Sequence, residues 1–241
     1  MPVELGVRLI TFDRPGYGRS DRREGRQLLD TPGDVAALAD SLAIDRFAVL
    51  GVSAGGGHAL ACAVALGERV AAVGVASMPG PLDEVPGAWD ALDRRQRPAA
   101  EKAREDPATA AGWVVRYMQR WTEDPTSFLG GGTAADRELL ADPVAGDMLL
   151  ADVAEALGPG AGGMADDLVA LWRAWGFRIA GLRAGVRVWH GAQDTRARAD
   201  FECLCARLAD ARATVWPDQG HYGVVPCWSE VLAEIRPESP C

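Results

Sequence analysis

The sequence predicts an α/β fold: a mostly parallel, doubly wound sheet carrying an inserted helical segment. Three observations lead there. Short buried apolar runs alternate with amphipathic helical stretches toward both ends of the chain. That alternation stops between Pro79 and about Arg183, where helical spacing persists and prolines mark the breaks, and it resumes afterwards. One apolar run, Phe47 to Val52, passes through Gly51-Val52-Ser53-Ala54-Gly55 directly into an alanine- and leucine-rich helical stretch. A chain of 241 residues can hold one large domain with an insertion. The expected division is a first core part (1–78), a helical lid (79–183) and a second core part (184–241).

In chain order, Val7 to Asp13 reads as a buried strand, followed by a turn-rich segment, Arg14 to Asp21, set by Pro15, Gly16 and Gly18. Thr31-Pro32-Gly33-Asp34 predicts a helix start with Thr31 as cap, Pro32 in the first turn and Asp34 complementing the dipole. Val35, Leu38 and Leu42 supply its apolar stripe. The Phe47–Val52 strand and its helix, closing near Gly67, come next, and Val70 to Ala76 forms another buried strand. In the lid, Val114, Met118 and Trp121 recur at helical spacing, as do Leu168, Leu171 and Trp172. Its tryptophans, Trp89, Trp113, Trp121, Trp172 and Trp175, are expected to be core residues more often than substrate contacts. Gly130-Gly131-Gly132 and Gly158 to Gly163 read as flexible joints. Val186 to Gly191 is a strand leading to Asp194, a helix follows from about Arg196 to Leu208, and Ala213 to Trp216 is the last strand. A polar turn, Pro217 to His221, precedes a final helix begun at Pro226 and lined by Trp228, Val231, Leu232 and Ile235.

Composition excludes several function classes. A net charge of −9, with the arginines scattered, argues against a nucleic-acid or anionic-membrane surface. Cys62, Cys203, Cys205, Cys227 and Cys241 have no metal-ligand spacing, and their odd number without a framework predicts reduced thiols in the cytoplasm. Neither a signal peptide nor an apolar run long enough to cross a bilayer is expected. No metal or organic cofactor is implied, and the expected partner is a small-molecule substrate.

A serine between a strand and a helix N-terminus sits at the tip of a strained turn. Residues two away on either side, Gly51 and Gly55, are expected to be small because a Cβ there would strike the adjoining elements. Such a hydroxyl needs a base, and the base needs an acid that fixes its tautomer. Of the three histidines, His58 lies on the helix just after Ser53, a turn beyond it and pointing away, and His190 ends a buried strand. His221, in a glycine-flanked turn past the last strand, is at the edge where parallel sheets collect active-site residues. Asp194, just past a strand end, is the expected acid. Asp83 is the second choice, and a helix N-cap is the alternative role for Asp194.

With these pieces assembled the chain resembles the α/β-hydrolase fold family, in its branch of small soluble esterases, aminopeptidases and epoxide or C–C hydrolases. The resemblance rests on Asp13-Arg14-Pro15-Gly16-Tyr17-Gly18-Arg19-Ser20, Gly51-Val52-Ser53-Ala54-Gly55, Trp189 to Asp194 and Gln219-Gly220-His221. It implies a catalytic triad of Ser53, Asp194 and His221, with the Ala54 N–H in the oxyanion hole and hydrolysis of a small, mainly apolar ester, amide or related carbonyl compound. A serine at the elbow argues against the haloalkane- and epoxide-cleaving members, which carry an aspartate there.

The family pattern also has further strands and a His-Gly loop ahead of Asp13, and this loop supplies half of the oxyanion hole. This sequence has neither. The family's third strand lies in the sheet between the strand ending at Asp13 and the one ending at Val52, and losing it is expected to leave two buried sheet edges, each unpaired group costing about 1–3 kcal/mol. A missing oxyanion donor costs roughly 10²–10³ in rate. Three resolutions follow: a fragment or misplaced start, which is preferred; direct pairing of the Val7–Asp13 strand with the Phe47–Val52 strand; or strands from another chain. The competing function is a catalytically silent hydrolase-like protein that binds a ligand or partner.

Overall fold

The computed structural model describes residues 4–129, 132–180, 182, 184–195, 197–208 and 210–236. Helix α1 (Thr31–Ser41), strand β1 (Phe47–Val52), helix α2 (Gly55–Leu66) and strand β2 (Val70–Ala76) come first. A run of helices follows: α3 (Ala88–Ala91), α4 (Arg97–Glu105), α5 (Pro107–Glu123), α6 (Thr126–Leu129), α7 (Ala134–Ala141), α8 (Pro143–Ala156) and α9 (Gly162–Trp172). Strand β3 (Val186–Gly191), helix α10 (Arg198–Arg207), strand β4 (Ala211–Trp216) and helix α11 (Trp228–Ile235) complete the order.

The strands form one parallel sheet in the order β1-β2-β3-β4. Side chains alternate across it, as a two-residue period requires. Phe47, Val49, Val73, Val75, Val186 and Val188 face a core shared with Leu60 of α2, Leu171 of α9 and Leu204 of α10. Ala48, Leu50, Val52, Ala76 and Trp189 face the opposite core, closed by Val231, Leu232 and Ile235 of α11. Helices thus cover both faces, as the doubly wound reading requires. The helical segment between β2 and β3 has a third core, built from alanines of α4 and α5 with Val114, Met118, Val169 and Trp172. Helix α9 belongs to two of these cores and ties the segment to the sheet. Of its tryptophans, Trp172 and Trp175 are buried while Trp113 is exposed.

Besides the Gly158–Gly163 joint, whose last two glycines open α9, two expectations fail here. Residues Val7 to Asp13 form no strand. Leu9, Ile10 and Phe12 are 46%, 38% and 42% exposed, because an apolar run becomes a strand only beside a ladder partner, and this one has none among the described residues. Direct pairing of this segment with β1 is therefore not realised. Along β1, Phe47 to Leu50 and Val52 are half-buried and Gly51 is buried. The second failure is Thr31, which is the first residue of α1 and not its cap; Asp30 occupies the cap position. The Thr31 hydroxyl instead lies 2.7 Å from His58 Nδ1 on α2. The boundary at Arg183, the helix start at Arg196, Cys241 and the glycines at 130 and 131 lie outside the described residues. Cys62, Cys203, Cys205 and Cys227 are free thiols.

Candidate active site

Strand β1 delivers Ser53 at its C-terminal end, and the backbone there turns through φ 51°. A non-glycine residue in that region costs of the order of 1–3 kcal/mol and persists only when its surroundings fix it. The Ser53 amide donates to the Ala76 carbonyl of β2 at 2.8 Å, and the Ser53 carbonyl accepts from Gly56 N–H at 3.0 Å. Gly51 is required by close approach, since a Cβ there would stand 2.2 Å from the Gly55 carbonyl oxygen. The expected requirement at Gly55 is not met: its Cβ position is open, with only Arg14 Nη1 at 3.9 Å. The crowded glycine is instead Gly56, whose Cβ would meet Met78 at 2.2 Å. Ala54 is the residue leading into α2, so its amide is at the helix N-terminus, where donors are unpaired by the helix and the dipole is positive.

The other two residues arrive on loops beyond neighbouring strands. After β3 the chain turns with the Asp194 amide donating to Gly191 O at 2.9 Å, and after β4 it turns through Gly220 into His221. The two loops touch backbone to backbone. The Gln193 amide donates to Gln219 O at 3.0 Å, and a Cβ on Gly191 would lie 2.1 Å from the Gly220 carbonyl oxygen. Asp194, 3% exposed, places Oδ2 2.6 Å from His221 Nδ1, and His221 Nε2 lies 3.0 Å from Ser53 Oγ. The bonding that satisfies all four atoms has Nδ1–H donating to the carboxylate and Ser53 O–H donating to Nε2. The sheet therefore brings together the three side chains that the sequence singled out.

The rejected candidates stand elsewhere. His190 is buried in β3 and stacked on Phe201 at 5.1 Å, and burial holds its imidazole below the usual range. Asp83 pairs with Arg104 and accepts from Trp89 Nε1 on the helical segment. His58 is buried against Asp167 of α9, with Nε2 3.0 Å from Oδ1, and desolvation lowers its pKa.

Residues 2–235 match the Alpha/beta hydrolase family. The chain belongs to this family. A curated relative in Bacillus subtilis (strain 168), the uncharacterized hydrolase YcgS, is 37% identical over 68 residues, which make up 28% of this chain and 24% of the relative. The match thus spans about a quarter of that relative's length. Among solved structures, Rv0554 from Mycobacterium tuberculosis is similar at TM-score 0.67 and 24% identity, covering 97% of this chain and 79% of that one. The enol-lactonase from Burkholderia xenovorans LB400 is similar at TM-score 0.62 and 20% identity, covering 91% and 76%. These likenesses concern the fold.

Two features of this α/β hydrolase were not found by sequence reasoning. One is Asp167, which binds Arg14 through Nε and Nη2 (3.1 and 2.8 Å), accepts from Tyr17 Oη at 2.8 Å and also meets Arg26 and His58. Burial alone would push its carboxyl up, but the bond from His58 and the charges of Arg14 and Arg26 hold it far below the ordinary range. This cluster places Arg14 beside Gly55 at the start of α2. The other is Asp136, whose cap signature with Thr133 is legible, but whose contact with the His221 loop is not. Among the described residues no group of three His, Cys, Asp or Glu is placed to hold a metal ion, and no helix is long and apolar enough to cross a membrane.

Proposed function

We propose that this chain is a serine hydrolase working by acyl transfer to Ser53 and then to water. His221 takes the Ser53 proton during attack and returns it to the leaving group, while Asp194 keeps the imidazole in the productive tautomer and stabilises its charged form. The Ala54 amide, aided by the α2 dipole, receives the developing oxyanion. In the second half-reaction water takes the place of the leaving group, with His221 again as base. The observation that carries this reading is the unbroken Asp194–His221–Ser53 chain, at 2.6 and 3.0 Å, ending on a serine held at φ 51°.

The substrate we propose is a small, mainly apolar ester, lactone or amide. Support for the lactone comes from the name of the Burkholderia neighbour. The segment from α3 to α9 is read as the lid over the site. A groove of about 610 Å³ on it is lined by Trp89, Arg97, Glu101, Arg104 and Glu105, and none of the three site residues contributes. Its charged walls do not suit such a substrate.

The test is hydrolysis of p-nitrophenyl esters of graded acyl length. Rates are expected to be highest for short acyl chains and to be abolished in Ser53→Ala. An unchanged rate in that variant would end the assignment. A folded chain with no activity on esters, lactones or amides would favour the ligand-binding alternative.

A further inference from the structure

Asp136 is a carboxylate 1% exposed in the first turn of α7, on the helical segment and far from Ser53, Asp194 and His221 in sequence. Its Oδ2 accepts from the Thr133 amide and hydroxyl, each at 2.9 Å, which is the local capping box. A cap needs no more than that. Yet Oδ1 turns outward and accepts the Tyr222 amide at 2.9 Å, one residue past His221. Among the described residues no arginine or lysine pairs with it, so a full negative charge is held beside the histidine by neutral donors alone. Burial alone would raise this carboxyl, but the bonds from Tyr222 and Thr133 more than offset it and keep the group ionised.

The first turn of α7 grips the neighbouring loop as well. The Ala135 amide donates to Gln193 Oε1 at 3.2 Å, one residue before Asp194. Gly220 completes the fit, since a Cβ there would stand 2.2 Å from Thr133 Oγ1 and 2.4 Å from Asp136 Oδ1. One helix turn thus holds both loops that carry the base and its acid.

We propose that Asp136 is a positioning residue for His221: it fixes the backbone from which the imidazole is aimed at Ser53. This rests on the reading of His221 as the base. The other charged or titratable groups facing the imidazole are Asp194 and, at the end of β3, His190, with the Tyr222 ring edge-on at 5.5 Å.

The experiment is steady-state ester hydrolysis by the full chain for wild type, Asp136→Asn, Asp142→Ala and His221→Ala. Asp136→Asn is expected to lower kcat by roughly 10- to 100-fold, as a small misplacement of the reacting groups does, with KM changed less than twofold. Asp142→Ala removes the cap of the neighbouring helix α8, whose bonds run only to the Val144 and Ala145 amides, and should keep the wild-type kcat and KM. If Asp136→Asn does not fold, Gly220→Ala reads the same contact. Gly220 is not at positive φ, so alanine there strains only the approach to Asp136 and Thr133, and kcat should fall with KM kept.

A folded Asp136→Asn with wild-type kcat would overturn the proposal, as would an unaffected Gly220→Ala. An Asp142→Ala variant whose kcat falls as far as that of Asp136→Asn would do the same. His221→Ala separates the two claims. If it stays active the hydrolase mechanism fails, whereas if it is inactive and Asp136→Asn is normal only the positioning role fails.

Discussion

At Ser53 the backbone is forced through φ 51°, with close neighbours at Gly51 before it and Gly56 after it but open space at Gly55. Gly51 and Gly55 look equivalent in the sequence, and the structure separates them. Gly51→Ala would drive a methyl group to 2.2 Å from a backbone oxygen, so we expect loss of activity and destabilisation of about 2 kcal/mol or more in urea unfolding. Gly55→Ala places a methyl in open space at the first turn of α2. It should leave stability unchanged or raise it by up to about 1 kcal/mol. For the chemistry, Asp194→Asn should lower kcat by about 10⁴-fold with little change in KM, since the amide cannot hold the required tautomer.

At the scale of elements, Asp167 joins α9 to α2 and to the turn that carries Arg14 and Tyr17. It is 1% exposed, and removing the one carboxylate leaves Arg14 and Arg26 with uncompensated charge. Asp167→Ala is expected to cost about 3–5 kcal/mol by denaturant unfolding; a cost below 1 kcal/mol would contradict this account of the interface. The same elements mark the limit of what a sequence conveys. Strand β2 was legible to its end residues because an apolar run buried on both faces carries its own signature. The elbow was legible because strand, Gly51, Ser53 and helix adjoin in sequence, and Asp194 and His221 because each closely follows a strand end. Residues Val7 to Asp13 have the same apolar signature without a partner, and pairing is not a local property. Thr31 has a cap's chemistry, but its hydroxyl is taken by His58, 27 residues away. Asp136 and Asp167 sit among helical residues where nothing local says what they will touch.

For the whole molecule, the buried titratable groups make stability depend on pH in a definite direction. His58 and His190 are both lowered, chiefly by burial, so between their folded values and the unfolded value of about 6.5 the unfolded chain binds more protons. Stability is therefore complete above that value and falls as pH drops below it. Asp167, also lowered, adds stability present above about pH 4 and lost below. Asp200, raised by burial while accepting the Gly80 amide, acts in the opposite sense over the range above about pH 4. We expect the melting temperature to be flat from pH 8 to 7 and to decline from pH 6.5 to 5. A melting temperature that rises over the latter interval would contradict the burial of the two imidazoles as neutral rings.

The proposed catalytic unit joins all these scales, and covalent trapping probes it most directly. The native chain is treated with a fluorophosphonate, and intact mass followed by peptide mapping locates the adduct. One phosphonyl group on Ser53 is expected, with labelling lost in Ser53→Ala and slowed at least about 10³-fold in His221→Ala. Labelling of another residue, or equal labelling rates with and without the imidazole, would contradict the account.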